Sequence, residues 1–446
     1  MIGFWVMENN LTSGSVPKKL AAFSLPFLLS YFLQTLYGLA DLFIIGIFCP
    51  VESTTAVSVG SQIMHMVTVV IVGLAMGSTV LIGRAAGAGE KQLAARVTGC
   101  TVTLFSVISA ALTVLLLIFT GAIVGAVSTP GGAVEGTKAY LTICFAGVPF
   151  ITAYNIISAV FRGMGDSKSP MYFVAAACAA NIALDCLFIG ALGMGAAGAA
   201  LGTTLSQAFS AAVSLAVIIK RKTGIQLKKT DFKPDARLFS DILKIGVPVA
   251  LQDGFIQIAF LIITAIANSR GLNDAAAVGI VEKLIGILFL VPSSMLASIS
   301  ALAAHNIGAG KRGRARMTLK YGILICVCWG LLSIIVMELA PSPFVALFTG
   351  SPAVTELGAQ YLRGYVFDCL FAGIHFCFSG YFCACGKSGY SFLHNIASIT
   401  CARVPLAYLA SAMFPSTLFP MGIATAAGSV VSVIICLIIY KRSKYL

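Results

Sequence analysis

Charge is what this chain has least of. Only 10% of its 446 residues are Asp, Glu, Lys or Arg, and only 16 are acidic. A soluble domain carries roughly 25% charged residues, so a soluble enzyme of this length is excluded. Histidine is scarce as well, with 4 residues, and the 13 cysteines include no pair at a metal-binding spacing. Cys326 and Cys328, like Cys383 and Cys385, lie inside apolar runs and read as buried free thiols that pack as small hydrophobes. No Walker-type or dinucleotide loop stands between a strand and a helix, which leaves ATP drive unsupported. No nucleophile or metal constellation is present either, so the chain reads as no enzyme and as needing no cofactor. Residues 1–20 hold no continuous apolar core with a cleavage site, and no signal peptide is expected there.

What fills the chain instead is apolar, at 59% of residues, in blocks such as Met171–Leu192 and Thr417–Tyr440. A bilayer-spanning helix needs about 20 such residues. Twelve blocks can be counted, near 20–48, 55–82, 97–127, 139–161, 171–192, 195–219, 242–268, 276–303, 317–340, 357–382, 391–414 and 418–440. Barrel strands would be about ten residues long with alternating polarity, and that pattern is missing. The expected fold class is an all-α polytopic membrane protein with twelve transmembrane helices in two six-helix lobes. The expected divisions are a cytoplasmic segment 1–19, an N-lobe 20–219, a basic linker 220–241, a C-lobe 242–440 and a tail 441–446.

A net charge of +13 invites a nucleic-acid partner, but position argues against one. With the N-terminus inside, 24 of the 29 Lys and Arg fall in the inner loops and tails. That asymmetry is the positive-inside rule, and it predicts a plasma-membrane protein with both termini in the cytoplasm.

The halves resemble each other. Gly87-Ala88-Gly89 recurs as Gly308-Ala309-Gly310, Ala56-Val57 as Ala277-Val278, and Gly165 with Ser167 as Gly386 with Ser388. Pro26 answers Pro248 one residue out of register. Several matches in order at one spacing indicate duplication. Six spans per half is an even number, so both halves enter the membrane in the same sense. Parallel repeats of that kind are a transporter pattern, with the cargo held between halves.

Five acids fall well inside apolar blocks, away from their ends: Asp41, Asp185, Asp253, Glu282 and Asp368. Each costs roughly 2.5–3.5 kcal/mol to insert near a helix centre and so calls for a reason. Gln34, Tyr37 and Asp41 share one face of the first helix, Asn181 and Asp185 one face of the fifth, and Thr203 and Gln207 one face of the sixth. Tyr140 and Asn155 lie on the fourth. Two carboxylates among hydroxyls and amides suit a proton or a hard cation such as sodium; a polar network that only joins helices is the alternative. In the second half, Gln257, Glu282 and Asp368 are candidates for a substrate cavity. Asp253 and Asp368 are acids that could attract a cationic cargo. His375 and His65 read as isolated histidines, packed or facing a cavity.

At these residues the chain resembles the multidrug and toxic compound extrusion family. The resemblance rests on Pro26, the run Gln34-Thr-Leu-Tyr37-Gly-Leu-Ala-Asp41 and Gly46. Further matches are Gly83-Arg84 with Gly87-Ala-Gly89, Arg162-Gly-Met-Gly165-Asp166 with Pro170, and Arg403-Val-Pro405. It implies export of small amphipathic, often cationic compounds in exchange for protons or sodium, with membrane lipid the only other partner and the monomer the working unit. It also implies that Asp41, Asn181, Asp185, Thr203 and Tyr37 form the coupling site, as in the branch with the DNA-damage-inducible members. Gln34, Tyr140, Asn155, Gln207, Gln257, Glu282 and Asp368 would then line the substrate cavity. A glutamate that another branch carries in the seventh helix is absent at Ile256-Gln257. Related flippases of lipid-linked or polysaccharide precursors share the architecture and are the alternative function.

Overall fold

The structure, a computed structural model, describes residues 11–127, 129–220 and 227–443. Residues 1–10 of the expected N-terminal segment, 221–226 of the basic linker and 444–446 of the tail lie outside the described residues, and Arg221, Lys222 and Lys444 with them.

Every long apolar block forms a helix, because in lipid a helix satisfies its own backbone polar groups. In chain order these are α1 (Val16–Phe48), α2 (Val51–Gly87), α3 (Lys91–Ala126), α4 (Gly131–Ala146 and Val148–Gly163), α5 (Lys168–Ala191) and α6 (Gly195–Ile218). There follow α7 (Ala236–Arg270), α8 (Leu272–Gly308), α9 (Arg312–Leu339), α10 (Pro352–Ala384), α11 (Ser388–Met413) and α12 (Phe419–Arg442). The fourth block, expected as one helix, is two segments bent by 48°. The bend falls at Gly147-Val148-Pro149, where Pro149 has no N–H to give. Gly147 also passes close to α6, since a Cβ there would lie 2.5 Å from Thr204 Cγ2. No strand occurs among the described residues.

The duplication is visible in hydrogen bonds. After α2, Gly89 takes a left-handed φ of 77° and Glu90 N–H donates to Ala85 O at 2.9 Å. After α8, Gly310 has φ 73° and Lys311 N–H donates to Asn306 O at 2.7 Å. The pair recurs after α4 and α10, with Gly165 at 87° and Gly386 at 71°, and with Asp166 N–H to Phe161 O and Lys387 N–H to Phe382 O. These are glycine-terminated helix ends that satisfy otherwise orphaned carbonyls. The same glycines thus perform the same turn twice.

The chain gathers into two compact units. Of the described residues, the first holds 11–14, 29–127, 129–220, 227–246 and 308–310; the second holds 15–28, 247–307 and 311–443. Both α1 and α7 are therefore cut within the helix. In the first unit the start of α7 packs backbone to backbone on α2, where a Cβ on Gly77 would meet Ile242 O at 2.1 Å and one on Gly246 would meet Leu74 O at 2.3 Å. Small residues are what permit such approaches between membrane helices. Each unit has its own core, one around Ile45, Leu141 and Phe145, the other around Tyr361, Leu362 and Tyr365.

Two polar clamps fix the connections. Arg270, at the end of α7, donates from Nη1 to Ser411 O (2.8 Å) and Phe414 O (3.2 Å), and from Nη2 to Pro415 O (3.0 Å) and Thr417 O (3.2 Å). Asp274 lies 3.4 Å from its Nε. The guanidinium thereby ties the end of α11, through Ser411 O, to the connection that follows it. Arg270→Ala is expected to cost roughly 1–3 kcal/mol, because Asp274 and carbonyls that are at most partly buried lose their partner. A thermal-unfolding series in detergent checks this, with Arg270→Lys recovering only part, since an ammonium lacks the fork.

The other clamp docks the linker on α3. Cys100 Sγ lies 3.5 Å from Lys233 O, Thr103 Oγ1 donates to Phe232 O at 2.8 Å, and Arg96 pairs with Asp235 at 2.9 Å. The Leu238 N–H and then Arg96 hold the Asp235 carboxyl below the usual aspartate range. Its folded pKa is depressed, so its contribution is present above about pH 4, the ordinary aspartate value. It is lost as pH falls through the lower folded value. Asp235→Asn should therefore flatten the fall in melting temperature as pH drops below about 4.

Candidate functional site: a buried acid pair and its counterpart

In the first unit, α1, α5 and α6 bring four of the expected residues together. Asp41 is 5% exposed, Asn181 1% and Asp185 0%. The Asp41 carboxyl has Asp185, Asn181 and Thr203 as its side-chain neighbours, and Thr203 Oγ1 lies 3.5 Å from Asp41 Oδ2. Asn181 and Asp185 are one turn apart on α5, which aims both at α1. Directly after Asp185 the helix loosens into a π-turn over Cys186–Ala191, a form that often marks functional sites. Gly193 and Gly195, with φ of 64° and 57°, then reverse the chain into α6.

Two features set this cluster apart chemically. No basic residue among the described residues pairs with Asp41 or Asp185; the ion pairs lie elsewhere. Asp41 Oδ1, both Asp185 oxygens and both amide atoms of Asn181 are buried without a hydrogen-bond partner. Such groups are rare in native proteins, and each calls for a partner. Five in one place, mostly oxygens, form a donor set that fits a proton or a hard cation.

Gly202, which the sequence did not single out, makes room for the pair. A Cβ there would stand 2.1 Å from Asp185 Oδ1. Tyr37 adjoins the cluster, near Asp41, Cys144, Tyr154 and Cys178. Tyr140 is buried over Gly60 of α2, whose Cβ would touch its ring at 2.3 Å. Asn155 is buried with its amide given to Ile151 O at 2.8 Å, within its own helix. Gln34 is exposed two turns before Asp41, and Gln207 is half-buried one turn beyond Thr203.

The second unit presents a different arrangement. Asp368 on α10 is fully buried and accepts a hydrogen bond from Arg403 Nη2 of α11. Arg403 Nε also donates to Thr425 O at 3.4 Å, and the guanidinium carbon lies 5.9 Å from the centroid of the Phe260 ring. Glu282 on α8 has Thr264 Oγ1 at 3.2 Å and Arg403 within electrostatic reach. Asp253 has Gln252 beside it at 3.4 Å, and Gln257 is half-buried. Asp368 is thus a neutralised acid, a pairing hidden in sequence because its partner is 35 residues away on another helix.

His375 is not isolated. It packs against His394 with ring centroids 5.4 Å apart, and its Nε2 lies 3.3 Å from Ser429 Oγ. His394 in turn lies 2.9 Å from Ser379 Oγ and 3.2 Å from Ser432 Oγ. His375, Arg403, Asn395 and Ser429 share the wall of a cavity of about 50 Å³. The histidine pair joins α10 to α11 at no helical spacing, so no local pattern announced it.

Two repeats of membrane-spanning helices, one carrying an unpaired acid pair in its interior, define a polytopic α-helical membrane protein of duplicated halves. The sequence model of the MatE family matches residues 26–187 and again 248–409. The chain belongs to that family. It is 28% identical over 404 residues to the "Probable multidrug resistance protein YpnP" of Bacillus subtilis (strain 168), covering 90% of each chain. In fold it matches the MATE protein crystallised in complex with MaL6, with a TM-score of 0.92, 24% identity and 98% of each chain covered. It also matches the outward-facing conformation of a multidrug resistance MATE family transporter of the MOP superfamily, with a TM-score of 0.90, 24% identity and 96% of each chain covered.

Proposed function

We propose that this chain is an exporter of small amphipathic or cationic compounds, driven by protons or sodium and working by alternating access. The observation that carries the reading is the acid pair Asp41–Asp185, buried with no base to neutralise it. Such a pair is stable only when something positive joins it, because burying uncompensated charge is costly. A cation that binds there on one side of the membrane and leaves on the other couples its gradient to the packing of α1, α5 and α6. The names of the relatives support multidrug cargo. The basic inner loops support a plasma-membrane protein with both termini in the cytoplasm. The polar faces at Gln34, Tyr140, Asn155, Gln207, Gln257 and Glu282 supply candidates for cargo contact, and the monomer is the working unit.

The test is purified protein in liposomes, a fluorescent cationic dye, and proton or sodium gradients imposed one at a time. Dye movement under one gradient supports antiport and names the ion. Folded protein that moves dye under neither gradient overturns the reading and leaves the lipid-linked cargo of a flippase as the alternative.

A further inference from the structure

Each repeat buries a cluster of acids, but only one of them contains its own cation. In the second unit, Arg403 stands among Asp368, Glu282, Tyr361 and Tyr365. The hydroxyls of Tyr361 and Tyr365 and Oδ1 of Asp368 are buried without a hydrogen-bond partner. The guanidinium thus donates to Asp368 and to Thr425 O, with the Glu282 carboxylate and two unpartnered phenol hydroxyls in its surroundings. Its seat is built for it: a Cβ on Gly428 of α12 would lie 2.7 Å from Arg403 Cβ.

The repeats say what Arg403 replaces. Asn181 and Arg403 are equally far from the starts of their family matches, at 26 and 248. The glycine turns keep an offset of 221 up to Gly165 and Gly386, while the matches end at 187 and 409. The matches are thus 222 apart at both ends but the glycine turns between them 221 apart, so the second copy is one residue longer between Gly386 and the end of its match. The π-turn at Ile399–Arg403 is where a helix accommodates it, since a π-turn holds one residue more than an α-turn. The shift brings Arg403 to the station of Asn181, the amide that faces the acid pair in the first unit.

We propose that Arg403 is a tethered cation, taking in the second repeat the place that an exchangeable cation takes beside Asp41 and Asp185 in the first. The proposal deepens the coupling reading above and rests on it for the role of the first site. A cation on a side chain cannot leave, so α8, α10 and α11 stay joined throughout the cycle. Exchange is confined to one site per chain, and the second unit serves as the fixed copy of a device that opens and closes in the first. The competing account is a plain structural ion pair, in which loss of Arg403 only weakens packing.

The experiment uses Na⁺ as the probe, in the background Asp41→Asn with Asp185→Asn, which removes the first site. Melting temperature in detergent and ²²Na⁺ binding are followed as Na⁺ is raised. The background itself should show no dependence. Adding Arg403→Gln should create a saturable upward shift of roughly 3–6 °C, lost again with Asp368→Asn. Arg403→Lys, which keeps a tethered charge, should behave as the background. Folded Arg403→Gln protein with no Na⁺ response, or a response that survives Asp368→Asn, overturns the proposal. If Arg403→Gln does not fold, the background decides: Asp368-dependent Na⁺ binding there overturns the proposal, and its absence supports it. The coupling reading fails separately, if wild-type transport is unaffected by Asp41→Asn.

Discussion

Asp41→Asn is expected to reduce gradient-driven dye transport to the level of protein-free liposomes while leaving the fold standing. Asn has nearly the volume of Asp and still offers Thr203 an acceptor, so the packing of α1 on α6 has no reason to change. What disappears is the charge. One elementary charge crossing about 150 mV carries roughly 3.5 kcal/mol, enough to sustain a gradient of neutral cargo of about 300-fold. Without a carboxylate to bind the ion, that energy has no route into the protein. Removing one of two adjacent like charges also relieves repulsion, so the melting temperature should hold or rise slightly. Wild-type transport in folded Asp41→Asn protein would refute the assignment; a large fall in melting temperature would move Asp41 from coupling to structure.

The second large effect is expected at a residue with no side chain. In Gly202→Ala the new Cβ would lie 2.1 Å from Asp185 Oδ1, far inside van der Waals contact, and the Asp185 carboxyl must rotate away. Helix propensity favours Ala over Gly by about 1 kcal/mol, so the helix itself is not harmed. A misplacement of about 1 Å can cost 10²-fold in rate where geometry is tight, and a loss of transport of at least about 10-fold is expected. The discriminating measurement is a double-mutant cycle. If Gly202 acts through Asp185, the substitution should add little to Asp185→Asn, because the two changes share one interaction. Additive losses would mean that Gly202 serves helix packing alone.

The sequence by itself determined the architecture and the identity of the charged residues inside the membrane. Scarce charge and long apolar blocks leave a chain no option but spanning helices, and the count of twelve holds when the bent fourth block is taken as one span. Repeated glycines at one offset pointed to duplicated halves, and the structure shows a left-handed turn at both copies, a conformation that favours glycine. Helical spacing foretold that Tyr37 and Asp41, and Asn181 and Asp185, would share faces. Spacing speaks only within one helix, however. Which face meets which, and with what neighbour, was decided by packing across α1, α5 and α6. There Gly202, an unremarked small residue, sets the place of a carboxylate. Tertiary contact alone joined Asp368 to Arg403 and His375 to His394, since those partners lie on different helices. It also gave like residues unlike surroundings: the buried acids Asp41 and Asp185 meet no base, whereas the buried Asp368 meets the Arg403 guanidinium.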